Sequence, residues 1–135
     1  MTKEMTTQEI IKHDCNKMGV PFENVYVNLY NAIQSDGARV FRFGNTLFTS
    51  EIQQPKVSQI HMFTADSASQ IVKAMKNFAV AMRVAGFKKL ITTTTTNDLL
   101  TLLKRAQVDF VSSPVQNGYQ VEIRTVSYTH LTLPT

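Results

Sequence analysis

His13 and Cys15, two residues apart, are the first pair in this chain that could do chemistry, because an imidazole can draw the proton from a neighbouring thiol. Nothing around them marks an oxyanion site, so the pattern reads as two ordinary helix residues. His61 lies in KVSQIHMFT, a run that alternates through Val57, Ser58, Ile60 and Met62 as a strand does. A histidine there can act as a base, but on the face opposite Ile60 and Met62 it reads as a residue turned to a helix or to solvent. The third feature is FTADSASQIVKAM, residues 63–75, a strand entering a helix through a turn without glycine. Turns in this position often hold a phosphate, since free backbone N–H groups and the helix dipole both favour an anion.

The elements that must position these residues are legible in turn. Thr6 and Glu9 form a capping box that opens a helix with a stripe of Ile10, Ile11, Cys15 and Met18, and Gly19 ends it. FENVYVNLYNAIQ places Phe22, Val25, Leu29 and Ile33 on one helical face, although Val25, Tyr26 and Val27 also suit a strand. Asp36-Gly37 closes it. ARVFRFGNTLFTSEI is two short runs about Gly44-Asn45, a hairpin signal. Ser67 and Gln70 cap the long helix, with Asp66 ahead of it to complement the dipole. Ile71, Met75, Phe78, Met82 and Ala85 form its apolar face, and Lys73, Lys76 and Arg83 lie opposite. LITTTTT is a strand by β-branching, Asn97 caps a short helix with Leu99, Leu100 and Leu103 inward, and two last strands meet across Gln116-Asn117-Gly118.

The order is helix, helix, three strands, helix, strand, helix, two strands, which is an α+β or mixed α/β domain. From the strand before the long helix to the final hairpin, this order resembles the second half of the GNAT N-acetyltransferase fold. In that family a strand leads into the long helix, the acyl-CoA pyrophosphate sits on the helix N-terminus, and two strands splay apart to admit the pantetheine arm. The resemblance covers roughly residues 38–123. It implies a central, mostly antiparallel sheet with a splayed strand pair and flanking helices. It also implies acetyl-CoA as cofactor, with Phe63, Thr64, Ala65, Ser67, Ala68, Ser69 and Asn97 around it, and no metal. The likeness is nearest to small, divergent GNAT-like proteins of tailed phages, some of them virion components.

The phosphate loop departs from the family pattern, Gln/Arg-x-x-Gly-x-Gly/Ala. Residues 64–69 read TADSAS, with no glycine and no cation, and Asp66 puts a carboxylate beside the anion's position. At 4 Å and an effective dielectric near 20, such a like-charge pair costs about 4 kcal/mol. The expected site is therefore a degenerate one that holds acetyl-CoA weakly, in a protein with a structural or interaction role and with virion or other phage proteins as partners. An active acyltransferase is the alternative. It needs a base for the amine proton and an acid for the thiolate, and Glu51, His61 and Tyr119 are the candidates. Where the family often has a tyrosine acid after the Asn-started helix, this chain has Lys104 and Arg105.

Bulk properties exclude other classes. The chain has 135 residues, 43% of them hydrophobic and 18% charged, which suits one soluble domain. No apolar run is long enough to cross a bilayer, and the acidic N-terminal segment has no signal core. One cysteine allows no internal disulfide and fits a reducing, cytoplasmic setting in a host cell, or a virion. A net charge of +4, with the Lys88-Lys89 pair, the Lys73, Lys76 and Arg83 stripe, and the rings of Phe41 and Phe43 beside Arg42, is a thin case for a third reading, a nucleic-acid-binding module. Residues 126–135, VSYTHLTLPT, are uncharged and carry four threonines; they resemble translated sequencing-adapter read-through, or else form a short terminal strand. On the first view the domain is residues 1–125, the source is metagenomic, and Tyr128 and His130 play no part.

Overall fold

The computed structural model describes residues 4–125; the 126–135 segment lies outside the described residues. Its elements run α1 (Thr7–Met18), α2 (Phe22–Gln34), β1 (Arg39–Phe43), β2 (Thr46–Gln54), β3 (Val57–Thr64), α3 (Ala68–Val84), β4 (Lys89–Thr94), α4 (Asp98–Arg105), β5 (Asp109–Val115) and β6 (Gly118–Arg124). The element order is the one expected, and residues 22–34 form a helix. The strands make one six-stranded sheet in the order β1-β2-β3-β4-β6-β5. Every neighbouring pair is antiparallel except β3 with β4.

Local chemistry explains the ends of the elements. Thr6 Oγ1 accepts from the Glu9 N–H at 3.1 Å, and the Thr6 N–H donates back to Glu9 Oε1 at 2.9 Å, so the first turn of α1 is closed reciprocally. Gly19 ends the helix in the left-handed region at φ +74. Two loops of two residues each join β1 to β2 and β5 to β6, as Phe43 faces Thr46 and Val115 faces Gly118. Pro114 is tolerated because β5 is an edge strand.

The two faces of the sheet are covered differently. On one, α3 and α4 pack against Phe48, Ile60, Leu90, Val121 and Ile123, with the Phe48 and Phe78 rings stacked at 4.1 Å. Phe41 and Phe43 belong to this core, so their rings are not available for stacking on bases. On the other face, Ile10, Ile11 and Cys15 of α1 cover Leu47, and Phe63 packs beside them. Burial pushes the Cys15 thiol above its usual range, which suits a core residue and not a nucleophile.

Three expected apolar positions are exposed: Met18, Ile33 and Ala85. Each is the last apolar residue of its stripe and lies at or next to the C-terminal end of its helix. Asn97 also departs from expectation. Its backbone is helical (φ −79, ψ −6) and its side chain caps nothing; its carbonyl instead accepts from the Thr101 N–H at 3.1 Å.

Candidate functional site

The parallel pair β3–β4 is where the sheet opens. Register holds for three pairs, Val57 with Lys89, Ser58 with Leu90 and Gln59 with Ile91, and then stops. Beyond it β3 stays paired to β2 as far as Thr64, and β4 stays paired to β6 as far as Thr94. Each half of the sheet is intact, so two strand edges diverge with no strand between them. This is the splay that the resemblance implies.

The backbone phase along β3 decides what faces the gap. The Ala65 N–H donates to the Asn45 carbonyl at 3.0 Å, so alternation aims the backbone groups of odd-numbered β3 residues at β2. Those of Ile60, Met62 and Thr64 then point toward β4. The other end of the strand agrees, because the Lys56 carbonyl accepts from the Lys88 N–H at 2.8 Å. A ligand with amides along its length would find donors and acceptors spaced as a strand spaces them.

Under the gap, on the α3 side, lies a cavity of about 40 Å³ lined by Ile60, Met62, Leu90, Thr92, Leu99 and Leu103 among others. It is almost wholly apolar and has room for about two or three water-sized groups. Both strands run out of the sheet in the same direction into a helix. The N-termini of α3 and α4 thus flank the open end, each turning the positive pole of its dipole toward it.

The turn into α3 is a laced corner. Asp66 Oδ2 accepts from the Asn45 N–H at 2.9 Å and from Thr46 Oγ1 at 2.8 Å. The Asp66 N–H in turn donates to Thr64 Oγ1 at 3.0 Å, and Thr64 Oγ1 lies 2.7 Å from Thr46 Oγ1. Asp66, expected to complement the helix dipole from just ahead of Ser67, is also the anchor of the β1–β2 turn. Arg42 extends the lacing, donating to the Gly44 carbonyl at 2.8 Å, to Asn45 Oδ1 at 3.0 Å and to the Met5 carbonyl. Beyond the corner, Ser67, Ala68 and Ser69 are exposed, with Ser67 Oγ 3.2 Å from Gln70 Oε1.

The sequence-derived residues therefore divide. Phe63 points into the α1 core, and Thr64 and Ala65 belong to the corner, although the Thr64 backbone opens on the gap. Ser67, Ala68 and Ser69 stand at the N-terminus of α3, and Asn97 at that of α4. Glu51 and His61 are exposed on the α1 face of neighbouring strands, opposite Gln59 and Thr49. Tyr119 lies opposite Thr94 on the α3/α4 face, so the three proton-transfer candidates are not brought together.

One residue was missed. Asp14, on the inward side of α1, accepts the Thr64 N–H through Oδ1 at 3.2 Å and so reaches the mouth of the gap. Its desolvation holds the carboxyl above the usual range, partly offset by the Thr64 N–H, Lys17 and His13. The signal available was a carboxylate on the stripe formed by Ile10, Ile11 and Cys15.

Comparison with known proteins agrees on the fold. No protein-family model matches the sequence, and no curated protein matches it. Solved structures do match. A chimera of the spermidine N-acetyltransferase SpeG from Vibrio cholerae and hSSAT aligns with TM-score 0.61 at 8% identity, covering 96% of each chain. The ribosomal-protein-alanine N-acetyltransferase from Brucella melitensis aligns with TM-score 0.53 at 17% identity over 80% of each chain. The microcin C7 self-immunity acetyltransferase MccE, solved with acetyl-CoA and AMP, aligns with TM-score 0.55 at 8% identity over 86% of this chain and 82% of that one. The chain has the GNAT acetyltransferase fold. Identities this low establish the shape and leave the chemistry to the residues.

Proposed function

We propose that this is an acyl-CoA N-acyltransferase-like protein whose groove between β3 and β4 takes acetyl-CoA weakly, and whose role is structural or interactive, among phage proteins of the virion or the host cytoplasm. The observation that carries the first part is the divergence of β3 from β4 after Gln59 and Ile91, beside the N-terminus of α3. The residues present fit part of the cofactor. The backbone groups of Ile60, Met62 and Thr64 suit the amides of a pantetheine arm, and the N–H groups of Ala68 and Ser69 suit a pyrophosphate. When bound, acetyl-CoA supplies a thioester open to attack by an amine.

Against tight binding stands the turn itself. Residues 64–69 supply no cation, and Ser67 and Ser69 stand where the family pattern has the glycines that let a backbone close on phosphate. The phage assignment rests on the resemblance alone. The active-enzyme reading draws on one observation, that Asp66 is held by two donors of the β1–β2 turn and so repels an anion less than a free carboxylate would.

Calorimetric titration of acetyl-CoA and CoA into the full chain tests the proposal. The expected dissociation constant is ~0.1–1 mM, or roughly 4–5.5 kcal/mol of binding. Micromolar binding would overturn the degenerate site and select the enzyme. No heat at millimolar ligand from the folded protein would overturn the groove.

A further inference from the structure

Asp14 is in an unfavourable place. It follows Ile10 and Ile11 by four and three residues and precedes the fully buried Cys15, so it sits on the side of α1 that packs on the sheet. A carboxylate on such a stripe gives up hydration, and its one hydrogen bond among the described residues is to the Thr64 N–H. That N–H is the last donor of β3 before the corner. It points toward β4, and it is the first that an arm running inward from the N-terminus of α3 would meet.

We propose that Asp14 is a competitor built into the mouth of the groove. Its carboxylate occupies the Thr64 N–H, so an amide carbonyl of a pantetheine arm binds there only by displacing it. This rests on the acyl-CoA reading of the groove and names a residue that sets its affinity. Displacement exchanges a charge-assisted hydrogen bond for a neutral one, a net loss to the ligand. The effect falls on the arm and not on the acyl group, so CoA and acetyl-CoA share it. Because it is competition for a donor, a ligand without phosphates feels it too.

The variants Asp14→Ala and Asp14→Asn separate competition from charge. Alanine frees the N–H; asparagine removes the charge and keeps an oxygen that can accept from Thr64. The experiment titrates CoA, acetyl-CoA and uncharged S-acetylpantetheine into the full chain and both variants, with folding checked by circular dichroism. The expected result is binding about five- to tenfold tighter for Asp14→Ala with all three ligands, and a smaller gain for Asp14→Asn. Unchanged or weaker binding by folded Asp14→Ala, while the parent chain binds, would overturn the competitor and leave the groove. A gain absent with S-acetylpantetheine, or equal in the two variants, would overturn it in favour of charge repulsion. Failure of parent and variants alike to bind any of the three would overturn the groove and the competitor together.

Discussion

The Asp66 carboxylate accepts the Asn45 backbone N–H at 2.9 Å, across 21 residues of sequence, and so fastens the start of the long helix to the tip of the first hairpin. Asn45 and Thr46 are buried, so the Asn45 N–H and the Thr46 hydroxyl both meet this carboxylate away from solvent. Their burial makes the turn before α3 a structural joint in the place where the resemblance implies a phosphate site. We expect Asp66→Ala to cost about 2–4 kcal/mol, since it removes two charge-assisted hydrogen bonds at a partly buried corner. Urea denaturation measures it; a loss below 0.5 kcal/mol, on the order of a surface change, would contradict the joint.

Gly118 has no room for a side chain. A Cβ added there would lie 2.1 Å from the Thr94 carbonyl oxygen, a backbone atom at the end of β4. Gly118→Ala must therefore push β6 from β4 at the open end of the sheet, at a cost of about 3 kcal/mol or more. A thermal melt within 2 °C of the parent's, roughly the shift of a neutral change, would show that the strands give way freely.

Gln107 holds a left-handed backbone, φ +57, between α4 and β5. At this φ a Cβ crowds the backbone, and here a glutamine bears that strain. Gln107→Gly should stabilise the protein by about 0.5–1 kcal/mol, the left-handed cost outweighing the entropy of an added glycine. A lower denaturation midpoint would mean that the Gln107 side chain contributes more than its backbone costs.

Asp14 gives the fold a pH dependence whose sign can be worked out. Desolvation raises its folded carboxyl above the ordinary value of 3.8, so the folded state binds this proton more readily than the unfolded chain. Its contribution to stability is present at low pH and is lost as pH rises through the window from 3.8 to the raised value. Stability of the parent relative to Asp14→Asn should thus increase as pH falls toward 4. A difference that stays flat or shrinks over that range, measured by denaturant titration at each pH, would contradict the burial argument.

What could be read from the sequence follows the range of the interactions involved. The Thr6–Glu9 box, the two hairpins and the 71, 75, 78, 82 stripe depend on residues a few positions apart, and their signals are local. Asp66 could be seen beside its own helix, but its hydrogen-bond partners could not, because the hairpin tip lay 20 residues back. Asp14 went unread for the same reason at greater distance, 50 residues from Thr64. The separation of Tyr119 from Glu51 and His61 follows from strand register across four strands, which no local pattern encodes.

The proposed weak acyl-CoA groove between β3 and β4 can be located residue by residue by amide chemical-shift mapping. On adding acetyl-CoA to the isotopically labelled chain, shifts should be confined to residues 60–64, 67–69 and 92–94. They should saturate only toward millimolar ligand. No shifts at that concentration, or shifts concentrated on the far side of the sheet around β5, would contradict it.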